Sequence, residues 1–154
     1  MAIVDIPTIA YPPYFGAYGT SATLDAAEEF VVQVIRFPKT GTLRRVGLRF
    51  ASVNTGYTIV VSLEKVGSTV AQPVATTNAA KTLYTTGSES AQITSGLTSD
   101  TVNYIEINGS TGVSVTAGDL VAITVRLIAV TGIGLNVSVP ASANGMETYN
   151  GSFY

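Results

Sequence analysis

The sequence predicts an all-β protein: an antiparallel β-sandwich of the jelly-roll kind, with about eight strands and an extended N-terminal arm. Its 154 residues suit one domain, and the 46% apolar and 12% charged content argues against disorder. Val, Thr, Ile and Tyr dominate the strand-like segments, whereas the helix formers Lys, Glu, Gln and Met are scarce. Short apolar segments recur about every 8–15 residues, separated by turn residues and with no alternating helices, which favours a sandwich.

Residues 1–20 are assigned to the arm, and residues 21–154 to a single sandwich domain that ends in an aromatic tail. The start of the chain is apolar without a sustained period, and Pro7, Pro12 and Pro13 exclude a helix interior or a central strand. An extended, polyproline-like path is therefore expected. The arm either lies along its own domain as a strand or docks on another subunit.

The next segments lead into the domain. Residues 21–29 carry a helical signal of two turns at most, with Thr23 as the cap, and a loop is an equal alternative. Residues 30–37 are apolar on both faces and predict a central strand. A Pro-Lys-Thr-Gly turn follows at residues 38–41.

Residues 41–63 predict an amphipathic hairpin, because two stretches with a period of two flank a polar turn that ends at Gly56. Such a hairpin needs a second apolar layer to be stable. Arg45 and Arg49 are expected to point away from the core. The side chains expected to be buried are Val46, Leu48, Phe50, Ile59, Val61 and Leu63.

The second half of the chain predicts a long connection over residues 65–80 and short strands at 81–84 and 90–93. Residues 101–107 alternate clearly, and Asn-Gly at 108–109 with Gly112 predicts a hairpin return into 113–115. Residues 116–119 form a tight turn. Residues 120–129 then predict a long buried strand, and 133–139 a last strand before the tail.

Composition argues against an enzyme. The chain has neither His nor Cys, so Ser-His-Asp and Cys-His catalysis are excluded, and no cofactor or metal is expected. A glycosidase that uses a pair of carboxylates remains formally possible. Asp119 is interpreted as a turn residue that bonds local backbone. The acids considered are Glu28, Glu29, Asp100, Glu106 and Asp119. The net charge of −2 and the lack of a long apolar segment predict neither nucleic-acid nor membrane binding.

Basic residues are unevenly distributed. Five of the eight Lys and Arg residues lie between Glu29 and Glu64, and no acidic residue occurs between these two positions. They are Arg36, Lys39, Arg44, Arg45 and Arg49. One interpretation is a solvated face of the central strands. The other is a docking patch for an acidic protein surface.

Aromatic residues concentrate at the chain ends, where seven of the thirteen occur. Because termini are normally polar and interfaces favour Tyr and Phe anchors, we expect both ends to bind a partner. The predicted partner-binding residues are Ile3, Ile6, Ile9, Tyr11, Pro12, Pro13, Tyr14, Phe15, Tyr149, Phe153 and Tyr154.

Two motifs resemble those of small β-sandwich domains in virion proteins of tailed bacteriophages. Residues 37–48 (FPKTGTLRRVGL) are similar to a strand that ends in a Pro-x-x-Gly turn before an x-x-Val-Gly-Phe-like strand. Residues 113–122 (VSVTAGDLVA) are similar to an Ala-Gly-Asp-hydrophobic turn before a late strand. The resemblance covers roughly residues 30–139. It implies a structural role in the virion, in capsid decoration or in a fibre or tail tip, and supplies no catalytic residue.

The expected function is therefore that of a non-enzymatic virion protein. A capsid decoration or cement protein would fasten to the major capsid protein, or to another virion protein, and to copies of itself through its terminal arms. We expect a homo-oligomer, with a trimer favoured, located in the virion. The alternative is a receptor- or glycan-binding module of a phage fibre or tail tip. The absence of Trp weighs against it, because sugar-binding platforms use aromatic faces.

Overall fold

The computed structural model describes residues 18–67, 74–132, 135–140 and 148–151. These ranges contain ten strands and no helix. The strands are β1 (Tyr18–Leu24), β2 (Phe30–Arg36), β3 (Gly41–Leu43), β4 (Arg45–Ser52), β5 (Tyr57–Lys65), β6 (Val102–Glu106), β7 (Val113–Val115), β8 (Leu120–Val130), β9 (Leu135–Pro140) and β10 (Thr148–Gly151).

Eight of the strands form two four-stranded sheets. The first has the order β1-β9-β4-β6 and the second β10-β2-β8-β5, while β3 and β7 form a separate pair. Every pairing between these strands is antiparallel. The predicted all-β, antiparallel class and the count of about eight principal strands are confirmed. Along the chain, each connection between strands of the two sheets passes from one sheet to the other.

The predicted central hairpin is wrong. Its two stretches are strands β4 and β5, but β4 pairs with β6 and β9, whereas β5 pairs with β8. Each strand has one apolar face, and Phe50 of β4 and Ile59 of β5 belong to the same buried cluster. Two apolar faces bury more surface when they face each other across a core than when they lie side by side.

The second predicted hairpin is wrong for a similar reason. Strand β6 pairs with β4, and β7 pairs with β3. The chain does turn at the predicted place: the Gly112 amide donates to the Ile107 carbonyl at 3.1 Å, and Gly112 has a φ of +79°. The turn signal was correct, but a turn alone does not say which strand receives the returning chain.

The helical alternative for residues 21–29 is also wrong. Residues up to Leu24 belong to β1, which pairs with β9. The loop that follows is held by the Glu29 carboxylate, which accepts the amides of Asp25 at 2.7 Å and Ala26 at 3.0 Å. Strand β1 begins at Tyr18, and residues 1–17 lie outside the described residues.

The core agrees with the predicted faces of β4 and β5. Val46, Phe50, Ile59, Val61 and Leu63 are buried, as predicted, and Tyr57 is buried as well. Leu48 is half-buried and packs against the core, Arg45 is exposed, and Arg49 is half-buried. A smaller buried cluster of Phe30, Val32, Val74 and Ala122 lies apart from the main core. Strand β2 contributes to both clusters, which explains why residues 30–37 are apolar on both faces.

Two short segments differ in detail from the prediction. Residues 83–93 run along β5 through isolated antiparallel bridges, at Leu83, Glu89 and Ile93, rather than as regular strands. In the tail, β10 pairs with β2 and places Tyr149 opposite Val32. This added strand was not predicted, because residues 148–151 (TYNG) have the composition of a turn.

Candidate interaction surface

The described residues contain no group of three or more His, Cys, Asp or Glu side chains that could hold a metal ion. In the same ranges, no helix is long and apolar enough to cross a membrane. The described residues do contain an exposed strand edge with a groove beside it.

Three of the five acids considered for catalysis make structural contacts. Glu29 closes the loop described above, and Glu28 Oε2 accepts the Asn78 amide at 2.6 Å. Asp100 pairs with Arg49 at 2.8 Å. Each of these three carboxylates thus has a structural contact within the described residues.

Asp119 has a different partner from the predicted one. Its Oδ2 accepts the phenol of Tyr84 at 2.5 Å, a contact between distant parts of the chain. The same turn is anchored by Arg36, which donates to the Gly118 carbonyl, and by Thr40 Oγ1, which accepts the Ala117 amide at 2.9 Å. The Ala-Gly-Asp motif thus joins β8 to the end of β2 and to Tyr84.

The five clustered basic residues are divided between the two sheets. Arg36 lies in β2 of the second sheet, with Lys39 exposed in the turn that follows. Arg45 and Arg49 lie in β4 of the first sheet, and Arg49 is paired with Asp100. Arg44 is half-buried between β3 and β4. The sequence cluster is therefore spread over both sheets and the segments that join them. Among the described residues, Lys39 and Arg45 are its exposed members that form no ion pair or side-chain hydrogen bond.

Strand β6 forms one edge of the first sheet, since it pairs with β4 alone. Its side chains alternate: Ile105 is buried, whereas Val102, Tyr104 and Glu106 are exposed. Val102 and Tyr104 are 37% and 54% exposed, and Leu120 is the other large apolar residue exposed in the described ranges. Exposed apolar residues are thus concentrated on this edge.

The free side of β6 presents unpaired peptide groups. The Ile107 amide donates to the Arg44 carbonyl at 2.8 Å, so these two residues are a hydrogen-bonded pair. This bond determines which residues of β6 point their peptide groups toward β4. Hydrogen-bonded positions alternate in an antiparallel ladder, so the peptide groups of Val102, Tyr104 and Glu106 point away from β4. None of these three makes a backbone hydrogen bond to another described segment.

A groove of about 310 Å³ runs beside this edge. Its lining consists of Ser90, Ala91, Ile93, Ser95, Gly96, Leu97, Asn103, Tyr104, Ile105 and Glu106. One wall is held in place by Asn103, whose amide group accepts from the Thr98 amide at 2.8 Å and donates to the Thr98 carbonyl at 2.9 Å. The Tyr57 hydroxyl accepts the Leu97 amide at 3.4 Å. The groove is therefore a fixed feature with an unpaired strand edge along one side.

The residues predicted to bind partners lie mostly elsewhere. All those in the N-terminal arm, together with Phe153 and Tyr154, fall outside the described residues. Tyr149 lies in β10. Sequence reasoning did not identify the edge at Val102, Tyr104 and Glu106. The alternation of residues 101–107 placed Tyr104 on the opposite face from Ile105, but edge position depends on which strands pair.

No protein-family model matches this chain, and no match was found among the curated proteins or the solved structures.

Proposed function

We propose that this chain is a non-enzymatic structural protein of a bacteriophage virion. It acts as a capsid decoration or cement protein that fastens to the major capsid protein or another virion protein. Its terminal arms make these contacts and also join copies of the chain, with a trimer as the favoured assembly. The sheets form a jelly-roll sandwich in this proposal.

The observation that carries the proposal is the path of the chain between the sheets. Each connection crosses from one four-stranded sheet to the other, and buried residues of both sheets share one cluster. This is the behaviour expected of a jelly roll, an architecture that viral capsid domains share with lectins. Fold alone does not fix function, so the choice of a structural role depends also on the chain ends.

The placement of the first and last strands supports a role for the ends. Strand β1 is an edge of the first sheet, and β10 is an edge of the second. Strand β1 also contacts β2, the neighbour of β10. Residues 1–17, which are apolar in sequence, precede an edge strand, and in this proposal they reach a neighbouring molecule without disrupting the sheets.

A receptor- or glycan-binding module is the second candidate. The observation that favours it is Tyr104, whose ring is half exposed on the rim of a groove and could stack on a sugar. Titration calorimetry with sugars of the host surface separates the two functions. Saturable heat that is lost in Tyr104→Ala would favour the glycan module.

The test of the virion role is deletion of residues 2–15. The truncated protein should keep the β signal in circular dichroism and melt cooperatively, but it should no longer bind particles that lack this protein. A matched control replaces the same residues with a Gly/Ser segment of equal length, which retains the reach but not the apolar side chains. Full particle binding by either variant would overturn the role of the arm, and loss of the β signal would make the arm an integral strand.

A further inference from the structure

We propose that the groove beside β6 accepts residues 2–6 of a second copy of this chain as an added β-strand. The proposal rests on the virion role proposed above, because it identifies where the arm of one copy binds the next. It specifies both the acceptor, which is the edge of β6 in the described residues of one copy, and the donor strand, which is residues 2–6 of the other copy.

The acceptor, which is the free edge of β6, lacks the features that normally prevent a sheet edge from pairing with another strand. Protein edges are normally protected by Pro, by bulges or by charged side chains. Strand β6 has no Pro, its pairing with β4 has no register shift, and Glu106 is its only charged residue. Three outward peptide positions at Val102, Tyr104 and Glu106 can bond to an added strand, as in strand addition to other sheet edges.

The donor is identified by the pattern of the arm. Residues 2–6 read Ala-Ile-Val-Asp-Ile, so a period of two places Ala2, Val4 and Ile6 on one apolar face and Ile3 and Asp5 on the other. Pro7 follows at once and cannot donate a ladder hydrogen bond, which limits the strand to this segment. The donor and β6 each have five residues.

The groove supplies the matching surface for the apolar face. Ile93, Leu97 and Ile105 line it on the side toward the core. Side chains of an added strand alternate between the two faces of the sheet, so every second residue of the donor would point toward these three. Pairing of β6 with β6 of another copy would satisfy the same peptide groups but would leave this apolar lining unfilled.

Geometry favours donation between copies over docking on the same domain. In the order β1-β9-β4-β6 the arm enters at the opposite edge from β6. Three strand spacings amount to about 14 Å, whereas eleven extended residues between positions 7 and 17 span about 34 Å. A proline-containing linker more than twice as long as the width of its own sheet favours a site on a neighbouring molecule. A head-to-tail contact of this type is compatible with a closed ring such as a trimer when its rotation closes, and otherwise gives an open filament.

The alternating pattern gives a sharp test of the donor. Sedimentation of the full chain measures self-association for Val4→Asp and for Asp5→Lys, which changes a charge on the opposite face of the same segment. Val4→Asp should weaken association by about tenfold or more, while Asp5→Lys should change it by less than about threefold. Equal losses in both variants would overturn pairing as a strand.

The acceptor is tested at Tyr104. Tyr104→Pro removes an amide that points away from β4, so the sheet keeps its own hydrogen bonds. It should keep a cooperative melt and lose association about tenfold or more, and Tyr104→Ala, which retains the amide, should lose less. Wild-type association of the folded proline variant would overturn the proposal.

Mixing two variants shows which segment fills the groove beside β6. A copy without residues 2–15 has only an acceptor, and the Tyr104→Pro copy has only a donor. Neither should associate alone, and an equimolar mixture should form a one-to-one complex. No complex would indicate docking within one copy, and self-association of the arm-less copy would indicate pairing of β6 with β6; either result overturns the proposal.

These measurements use purified protein without particles. Failure of the mixing experiment together with arm-dependent particle binding would overturn this inference alone. A one-to-one complex without particle binding would overturn only the virion role.

Discussion

Arg126 of β8 and Glu64 of β5 form an ion pair inside the protein. Nη2 of Arg126 lies 3.6 Å from Oε1 of Glu64, and the two side chains are 0% and 1% exposed. The guanidinium also donates to the carbonyls of Thr76 at 3.1 Å and Ala75 at 2.9 Å, and it lies 4.6 Å from the centre of the Phe30 ring. The pair therefore attaches the segment around residue 75 to the second sheet.

Removal of one member of this pair should be strongly destabilising, because the other charge would remain buried without its partner. Arg126→Ala or Glu64→Ala should lower the free energy of unfolding by about 3–5 kcal/mol, measured by urea denaturation. The double variant Glu64→Leu/Arg126→Met should recover much of this loss.

A matched control is the exposed pair between Arg49 and Asp100, in which the aspartate side chain is 70% exposed. Asp100→Asn removes that charge and retains a residue that tolerates the φ of +58°. It should cost no more than about 1 kcal/mol. A comparable cost for Asp100→Asn and Glu64→Ala would contradict the assignment of the buried pair.

The contact between Tyr84 and Asp119 predicts a dependence of stability on pH. Burial, followed by the hydrogen bond to Asp119, raises the pKa of the Tyr84 phenol above its usual value. The unfolded chain therefore loses this proton first, so the contribution to stability is complete below about pH 10 and is lost as the pH rises further.

Tyr84→Phe checks this prediction in urea titrations between pH 7 and pH 11. The variant should be less stable at pH 7 by about 1–3 kcal/mol, because a hydrogen bond to a carboxylate is lost. The difference from the wild type should narrow above pH 10, since the variant has no phenol to ionise at this position. A difference that stays constant over the whole range would refute the assigned shift.

Gly112 and Gly109 allow a test of the turn after β6. Both have positive φ, +79° and +56°. A Cβ at position 112 would lie 2.5 Å from the Leu43 carbonyl oxygen, whereas a Cβ at 109 would meet nothing within 4 Å. Gly109→Ala should cost about 1 kcal/mol through backbone strain alone, and Gly112→Ala about 3 kcal/mol. Equal melting temperatures of the two variants would mean that β3 does not pack against this turn.

Local patterns in the chain predicted which residues face the core, but not which strands pair. Phe50 and Ile59 are buried because a period of two already separates them from Arg49 and Thr58. Their strands lie in different sheets because pairing depends on contacts between distant segments, as between Val46 and Ile105. The edge position of Tyr104 and the burial of Arg126 depend on the same distant contacts, so single segments carried no signal for either.

The last prediction concerns the exposed basic residues Lys39 and Arg45, which belong to the proposed docking patch. If the patch contacts an acidic shell protein, Lys39→Glu/Arg45→Glu should weaken binding to particles by about tenfold at low ionic strength. The effect should shrink in high salt, because exposed charges are screened beyond about 8–10 Å. Lys65→Glu provides the control, since Lys65 is also exposed and lies outside the cluster. A cooperative melt of the double variant shows that the sheet tolerates the new charge beside Glu106. If the double variant binds the particles as well as the wild type does at low salt, Lys39 and Arg45 belong only to a solvated face.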